Sequence, residues 1–90
     1  MIYRSPGFQR AWKGLSSPQQ TEVEAAIGKV EAALGRPHLH GGIGLRAFGP
    51  YLEFRAGLQM RILVLLEGGD LFLMFVGSHD QVATYLKHNR

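Results

Sequence analysis

The sequence predicts an α+β domain: an N-terminal helical hairpin packed on one face of an antiparallel β-sheet, with a short C-terminal helix. Three observations predict it. Two serine-proline steps, Ser5-Pro6 and Ser17-Pro18, each open a stretch with apolar residues at helical spacing. From Tyr51 to Val76 the pattern becomes strand-like, with the pair Gly68-Gly69 set between its last two runs. After Ser78 and Asp80, either of which can cap a helix, Val82, Tyr85 and Leu86 return to helical spacing.

In the first helix Phe8, Trp12 and Leu15 form the apolar stripe, and in the second Val23, Ala26, Ile27, Val30 and Leu34 do. Ser17-Pro18-Gln19-Gln20 reads as a capping box, and Gly35 followed by Pro37 provides the stop. Residues 36–50 hold four glycines and two prolines and read as a loop, with a short strand around Leu45 to Phe48. Strands are expected at Tyr51 to Arg55, Leu58 to Glu67 and Leu71 to Val76. A loop of Ala56, Gly57 and Leu58 pairs Glu53 with Arg61 and Arg55 with Gln59. That register sets Glu53, Arg55, Gln59 and Arg61 on one face and Leu52, Phe54, Met60, Ile62 and Val64 on the other, against the helices. Leu63 and Leu65 limit the polar face to a patch.

Composition narrows the class of protein. Ninety residues suffice for one domain, 1–90, and 46% hydrophobic content for one core. The absence of cysteine excludes disulfides and thiolate metal sites, and the apolar run from Leu58 to Val76 is broken by Arg61, Glu67, Gly68, Gly69 and Asp70, so no membrane span is expected. The cytoplasm is the expected location. A net charge of +3 and a pI of about 9.7 favour a polyanionic partner only weakly.

Arg61 is the most informative residue, because a guanidinium inside an apolar strand costs several kcal/mol unless it is paired or opens onto a wet face. One reading is a structural ion pair with Glu53; the other is anion recognition. His79 stands where the apolar run ends, and histidine titrates near neutral pH. Strict alternation from the Gly68-Gly69 turn sets Arg61 and Val76 on one face and His79 on the other. The two then meet only through a bulge at Gly77 or a turn at Ser78. His38 and His40 lack a third ligand at metal-binding spacing, and Gly41-Gly42-Ile43-Gly44 lacks the lysine of a phosphate loop, so no metal or cofactor is expected. Phe72 and Phe75 read as packed rather than as base-stacking residues.

The order of elements, together with Phe54-Arg55, Met60-Arg61-Ile62-Leu63-Val64, the ending Val76-Gly77-Ser78-His79-Asp80 and Tyr85 six residues after His79, resembles the RelE/ParE superfamily of type II toxin-antitoxin toxins. The resemblance implies a RelE-like fold with a short N-terminal strand. It further implies a ribosome-dependent messenger-RNA endoribonuclease that works without metal and is held in a heteromeric complex by a cognate antitoxin. On this likeness Arg61 holds the scissile phosphate, His79 stabilises charge or acts as an acid, and Tyr85 acts in the nucleotide pocket. Glu53 stands near a lysine of relatives and could serve as a base, with Arg55, Arg46 and His40 as RNA contacts. Members lacking the catalytic set inhibit DNA gyrase instead, which is the alternative, beside a non-toxic partner-binding relative.

Overall fold

A computed structural model describes residues 1–33 and 45–88. The elements are β1 (Ile2–Arg4), α1 (Pro6–Lys13), α2 (Ser17–Ala33), β2 (Arg46–Phe48), β3 (Tyr51–Ala56), β4 (Met60–Glu67), β5 (Asp70–Ser78) and α3 (His79–His88). The five strands form one sheet in the order β1-β5-β4-β3-β2. It is antiparallel from β2 to β5, while β1 lies parallel to β5, with Ile2, Tyr3 and Arg4 beside Leu71, Phe72 and Leu73. His38, His40, Leu34, Gly35, Pro37 and the glycine run 41–44 lie outside the described residues.

The helical hairpin covers one face of the sheet, as the apolar stripes predict. Phe8 of α1 and Val23, Ala26, Ile27 and Val30 of α2 form a single core with Phe54, Ala56, Met60, Ile62, Val64, Leu71, Leu73 and Val76, and Trp12, Leu15 and Leu52 pack at its margin. A bidentate pair from Arg4 to Glu24, at 2.7 and 2.5 Å, ties β1 to α2 and holds the Glu24 carboxyl below its ordinary range. No described helix is long and apolar enough to cross a membrane.

The helix starts follow the serines, with one correction. Ser5 caps α1 as expected, its hydroxyl accepting from the Phe8 N–H at 3.1 Å. The capping box of α2 begins one residue earlier than the sequence suggests: Ser16 Oγ accepts from Gln19 N–H at 3.3 Å, and Gln19 Oε1 accepts from Ser16 N–H at 2.9 Å. Gln20 is thereby free to donate to the Trp12 carbonyl at 3.1 Å, closing the end of α1.

Two turns set the registers. Gly68 and Gly69, with φ of 57° and 84°, form the two-residue hairpin turn, so that Glu67 faces Asp70. The β3–β4 loop has three residues, as expected, but they are Gly57, Leu58 and Gln59 rather than 56–58, and Ala56 pairs with Met60. Gly57, at φ 73°, takes the left-handed position, while fully buried Ala56 stays in the core. The pairs Glu53–Arg61 and Arg55–Gln59 are therefore corrected to Glu53 opposite Leu63 and Arg55 opposite Arg61. A shift of two residues leaves every remaining residue of β3 and β4 on its expected face.

A second irregularity lies in β5. Leu63 faces Phe75 and Val64 faces Leu73, so Met74 is an extra residue, a bulge that reverses the alternation beyond it. The Met74 carbonyl accepts from the Ser5 hydroxyl at 3.2 Å, and the Leu73 carbonyl from the Ser5 N–H at 3.0 Å. One serine thus caps α1 and secures the bulge. Ser5→Ala should lower stability by about 1–2 kcal/mol, more than loss of a cap alone, because the Met74 carbonyl loses its donor as well. Urea denaturation of the two proteins measures the difference.

Candidate active site

Strand β3 alternates, so Tyr51, Glu53 and Arg55 point away from the helical hairpin, and the β2 register brings Arg46 beside Glu53 on that same face. Arg61 on β4 faces Arg55 directly. Four of the expected residues, Arg46, Glu53, Arg55 and Arg61, thus share one patch in which three arginines surround one carboxylate. Like charges directly opposite on a sheet destabilise it, which makes Glu53 the residue that permits the arrangement.

Glu53 and Arg61 form an ion pair on the diagonal, Nε to Oε1 at 3.5 Å, with 17% of the Arg61 side chain exposed and 3% of that of Glu53. Arg61 Nη1 also donates to the Met60 carbonyl at 3.3 Å. The structural ion pair that the sequence raised as an alternative is therefore present. It still leaves Arg61 partly open to solvent, with its charge neutralised from the buried side. Arg55 and Arg46 are exposed.

The Met74 bulge corrects the expected facing of β5. Gly77, not Val76, lies opposite Arg61, and Val76 belongs to the core under the hairpin. The alternation expected to separate His79 from Arg61 is reversed at Met74, so Gly77 stands on the Arg61 side, and β5 ends at Ser78, directly before His79. At Ser78 the chain turns into α3 through a second capping box: Ser78 Oγ accepts from Gln81 N–H at 3.2 Å, and Gln81 Oε1 accepts from Ser78 N–H at 2.8 Å. His79 is the first residue of α3 and is exposed.

Helix α3 packs on β4 and β5, on the face opposite the hairpin. Its contact is close at Gly77, where an added Cβ would stand 3.0 Å from Gln81 Cβ and 3.1 Å from Phe75 Cε2. Glycine here serves the approach of the helix rather than a special φ. Leu63 and Val82, both buried, lie outside the main core cluster, on this second face. Tyr85 stacks on Phe75, the ring centroids 4.7 Å apart and 13° from parallel. Burial pushes the Tyr85 phenol above its ordinary pKa, and nearby Tyr51 acts in the same direction.

Phe75 and Tyr85 line an open groove of about 430 Å³ together with Asp80, Gln81, Thr84 and His88. No group of three potential metal ligands occurs among the described residues. The sequence reading overlooked Tyr51, Phe75 and Gln81 as parts of the site. Tyr51 could have been found from its spacing of two and four residues before Glu53 and Arg55, and Gln81 from the Ser-x-x-Gln pattern. The Phe75–Tyr85 stack carried no local signal.

A mixed sheet covered by a helical hairpin on one face and a short C-terminal helix on the other is a RelE-like fold. The chain is similar to one from the crystal structure of the RelB-RelE antitoxin-toxin complex of Methanococcus jannaschii, with TM-score 0.68 and 13% identity over 92% of this chain and 96% of that one. It is likewise similar to a copper-bound L66S mutant toxin from Helicobacter pylori, with TM-score 0.66 and 16% identity over 90% and 96%. A conserved hypothetical protein from the same organism, solved in solution, gives 0.53 and 17% over 88% and 93%. No family model and no curated protein matches the sequence. Identity at this level establishes the fold.

Glu53→Gln should destabilise the protein by about 2 kcal/mol, because it leaves the half-buried Arg61 without its anion. A double-mutant cycle with Arg61→Gln should recover much of that loss in chemical denaturation. The phenol of Tyr85 gives a pH signature of its own. An unfolded tyrosine ionises near pH 10, whereas folded Tyr85 keeps its proton to higher pH. The stabilising contribution is thus complete below about pH 10 and is lost as pH rises through the folded value. Tyr85→Phe should flatten the fall of stability above pH 10, read from thermal midpoints across that range.

Proposed function

We propose that this protein is the toxin of a type II toxin-antitoxin pair and cuts messenger RNA on the ribosome as a metal-independent endoribonuclease. The observation that carries the reading is the gathering of Arg46, Glu53, Arg55 and Arg61 on one face of a RelE-like sheet, at the point where α3 begins with His79. Cationic side chains presented together on a rigid sheet suit a phosphodiester whose negative charge grows in the transition state. The likeness to a chain of a RelB-RelE complex supports an antitoxin partner bound in a heteromeric complex, and a ribosomal substrate sets the place of action in the cytoplasm.

In the proposed reaction the ribose 2′-oxygen attacks the adjacent phosphorus and the bond from phosphorus to the 5′-oxygen breaks. The products are a 2′,3′-cyclic phosphate and a free 5′-hydroxyl. Arg61 neutralises the charge that develops on the phosphoryl oxygens, and Arg55, Arg46 and His40 contact the flanking backbone. The His79 imidazolium donates its proton to the leaving 5′-oxygen, and the 2′-hydroxyl proton passes to water. Glu53, buried and ion-paired, acts here by fixing Arg61. Tyr85 remains protonated at neutral pH, a neutral hydrogen-bond donor at the edge of the site.

Arg61→Ala and His79→Ala should each reduce cleavage of ribosome-bound messenger RNA by roughly 100-fold or more, the scale of losing a charge-stabilising or acid group. Primer extension on transcripts collected after induction checks both variants. Wild-type cleavage by both would remove the site assignment. Growth arrest with an SOS response and intact transcripts would mark a gyrase inhibitor instead, and no arrest on expression without the antitoxin would sink both toxin readings.

A further inference from the structure

We propose that Gln81 is a positioning residue for the Arg61–His79 pair, through a latch built from Gly77, Ser78 and Gln81; this rests on the reading that Arg61 and His79 act on one phosphate. Three independent contacts meet at Gln81. Its side-chain oxygen accepts the Ser78 N–H at 2.8 Å and its own N–H donates to Ser78 Oγ at 3.2 Å, so the first turn of α3 is closed in both directions. Its Cβ also lies against Gly77, close enough that an added Cβ there would stand 3.0 Å away. Gly77 is in turn the residue paired with Arg61 across the sheet.

His79 lies between the two ends of this latch, as the first residue of the helix that Gln81 fastens. An exposed side chain at a helix start is free to turn with a fraying first turn, and a capping box suppresses that fraying. Closing the turn against Gly77 therefore fixes the direction of His79 relative to Arg61. Displacement of a catalytic group by about 1 Å is enough to cost up to 100-fold in rate. A glycine at 77 is required by this contact, because any side chain would hold the helix off the strand.

A matched control exists in the same molecule. Ser16 and Gln19 close α2 with the same reciprocal bonds, at the end of a helix that packs on the opposite face of the sheet. Gln19→Ala and Gln81→Ala should lower the thermal midpoint by similar amounts, since each removes the glutamine of one capping box. Only Gln81→Ala should lower kcat for ribosome-bound messenger RNA, by about 10-fold with KM unchanged. Gln81→Glu, which keeps the reciprocal bonds, should restore kcat. Equal kcat losses in Gln19→Ala and Gln81→Ala, or full activity in Gln81→Ala, would overturn the proposal.

A second readout needs no cleavage. In an otherwise wild-type background Arg61→Ala should shift the His79 ring-proton resonances, and in the Gln81→Ala background that response should shrink by at least half. The same response in both backgrounds overturns the latch. If the wild-type protein cuts no RNA, the functional reading fails while this measurement still decides the positioning role.

Discussion

The arrangement of this molecule depends on one inserted residue. Met74 adds a position to β5 without a partner on β4, and everything C-terminal to it in that strand changes face. Without the bulge Val76 would stand opposite Arg61 and Gly77 would enter the core. With it, Val76 fills the core, Gly77 opposes Arg61, and α3 finds a flat place to dock. The bulge is secured by Ser5, whose hydroxyl donates to the Met74 carbonyl while accepting from the first turn of α1. The start of the helical hairpin and the facing of the site are thus fixed by a single side chain nearly seventy positions away in sequence, as counted from the separation of the two residues.

Charge follows from this geometry. Once the β3–β4 loop falls on Gly57, Leu58 and Gln59, Arg55 and Arg61 are driven into direct opposition, a pairing that repels. Glu53, two residues along β3, reaches Arg61 diagonally and compensates from beneath. Two consequences follow together. The buried carboxylate is stabilised only while Arg61 stays, and Arg61 is held with part of its side chain still open to solvent. A surface pair at the same distance would be screened and contribute little, whereas burial of the Glu53 side makes the interaction orienting.

Much of this was legible from the sequence, and the reasons differ from element to element. The apolar stripes of α1 and α2 and the Gly68-Gly69 turn are local patterns, and they appear where spacing and backbone preference place them. The polar face was also readable, because strand alternation survives a two-residue register shift. What failed were two local placements: Ser17 as the cap of α2, where the structure uses Ser16, and 56–58 as the loop, where it uses 57–59. Each was decided by contacts from elsewhere, Gln20 reaching the Trp12 carbonyl in one case and Ala56 joining the core in the other.

By itself the sequence determined the fold class, which residues share a face within β3 and β4, and the presence of an arginine where an apolar strand tolerates one only with a partner. Only the tertiary structure decided which residue faces Arg61, that α3 begins two residues beyond that one, and that Tyr85 rests on Phe75. The physical reason is range. Helical and strand periodicities are written in neighbours three or four and two positions apart, while a bulge, an ion pair on the diagonal and a helix docking on glycine are set by segments that meet only when the chain has folded.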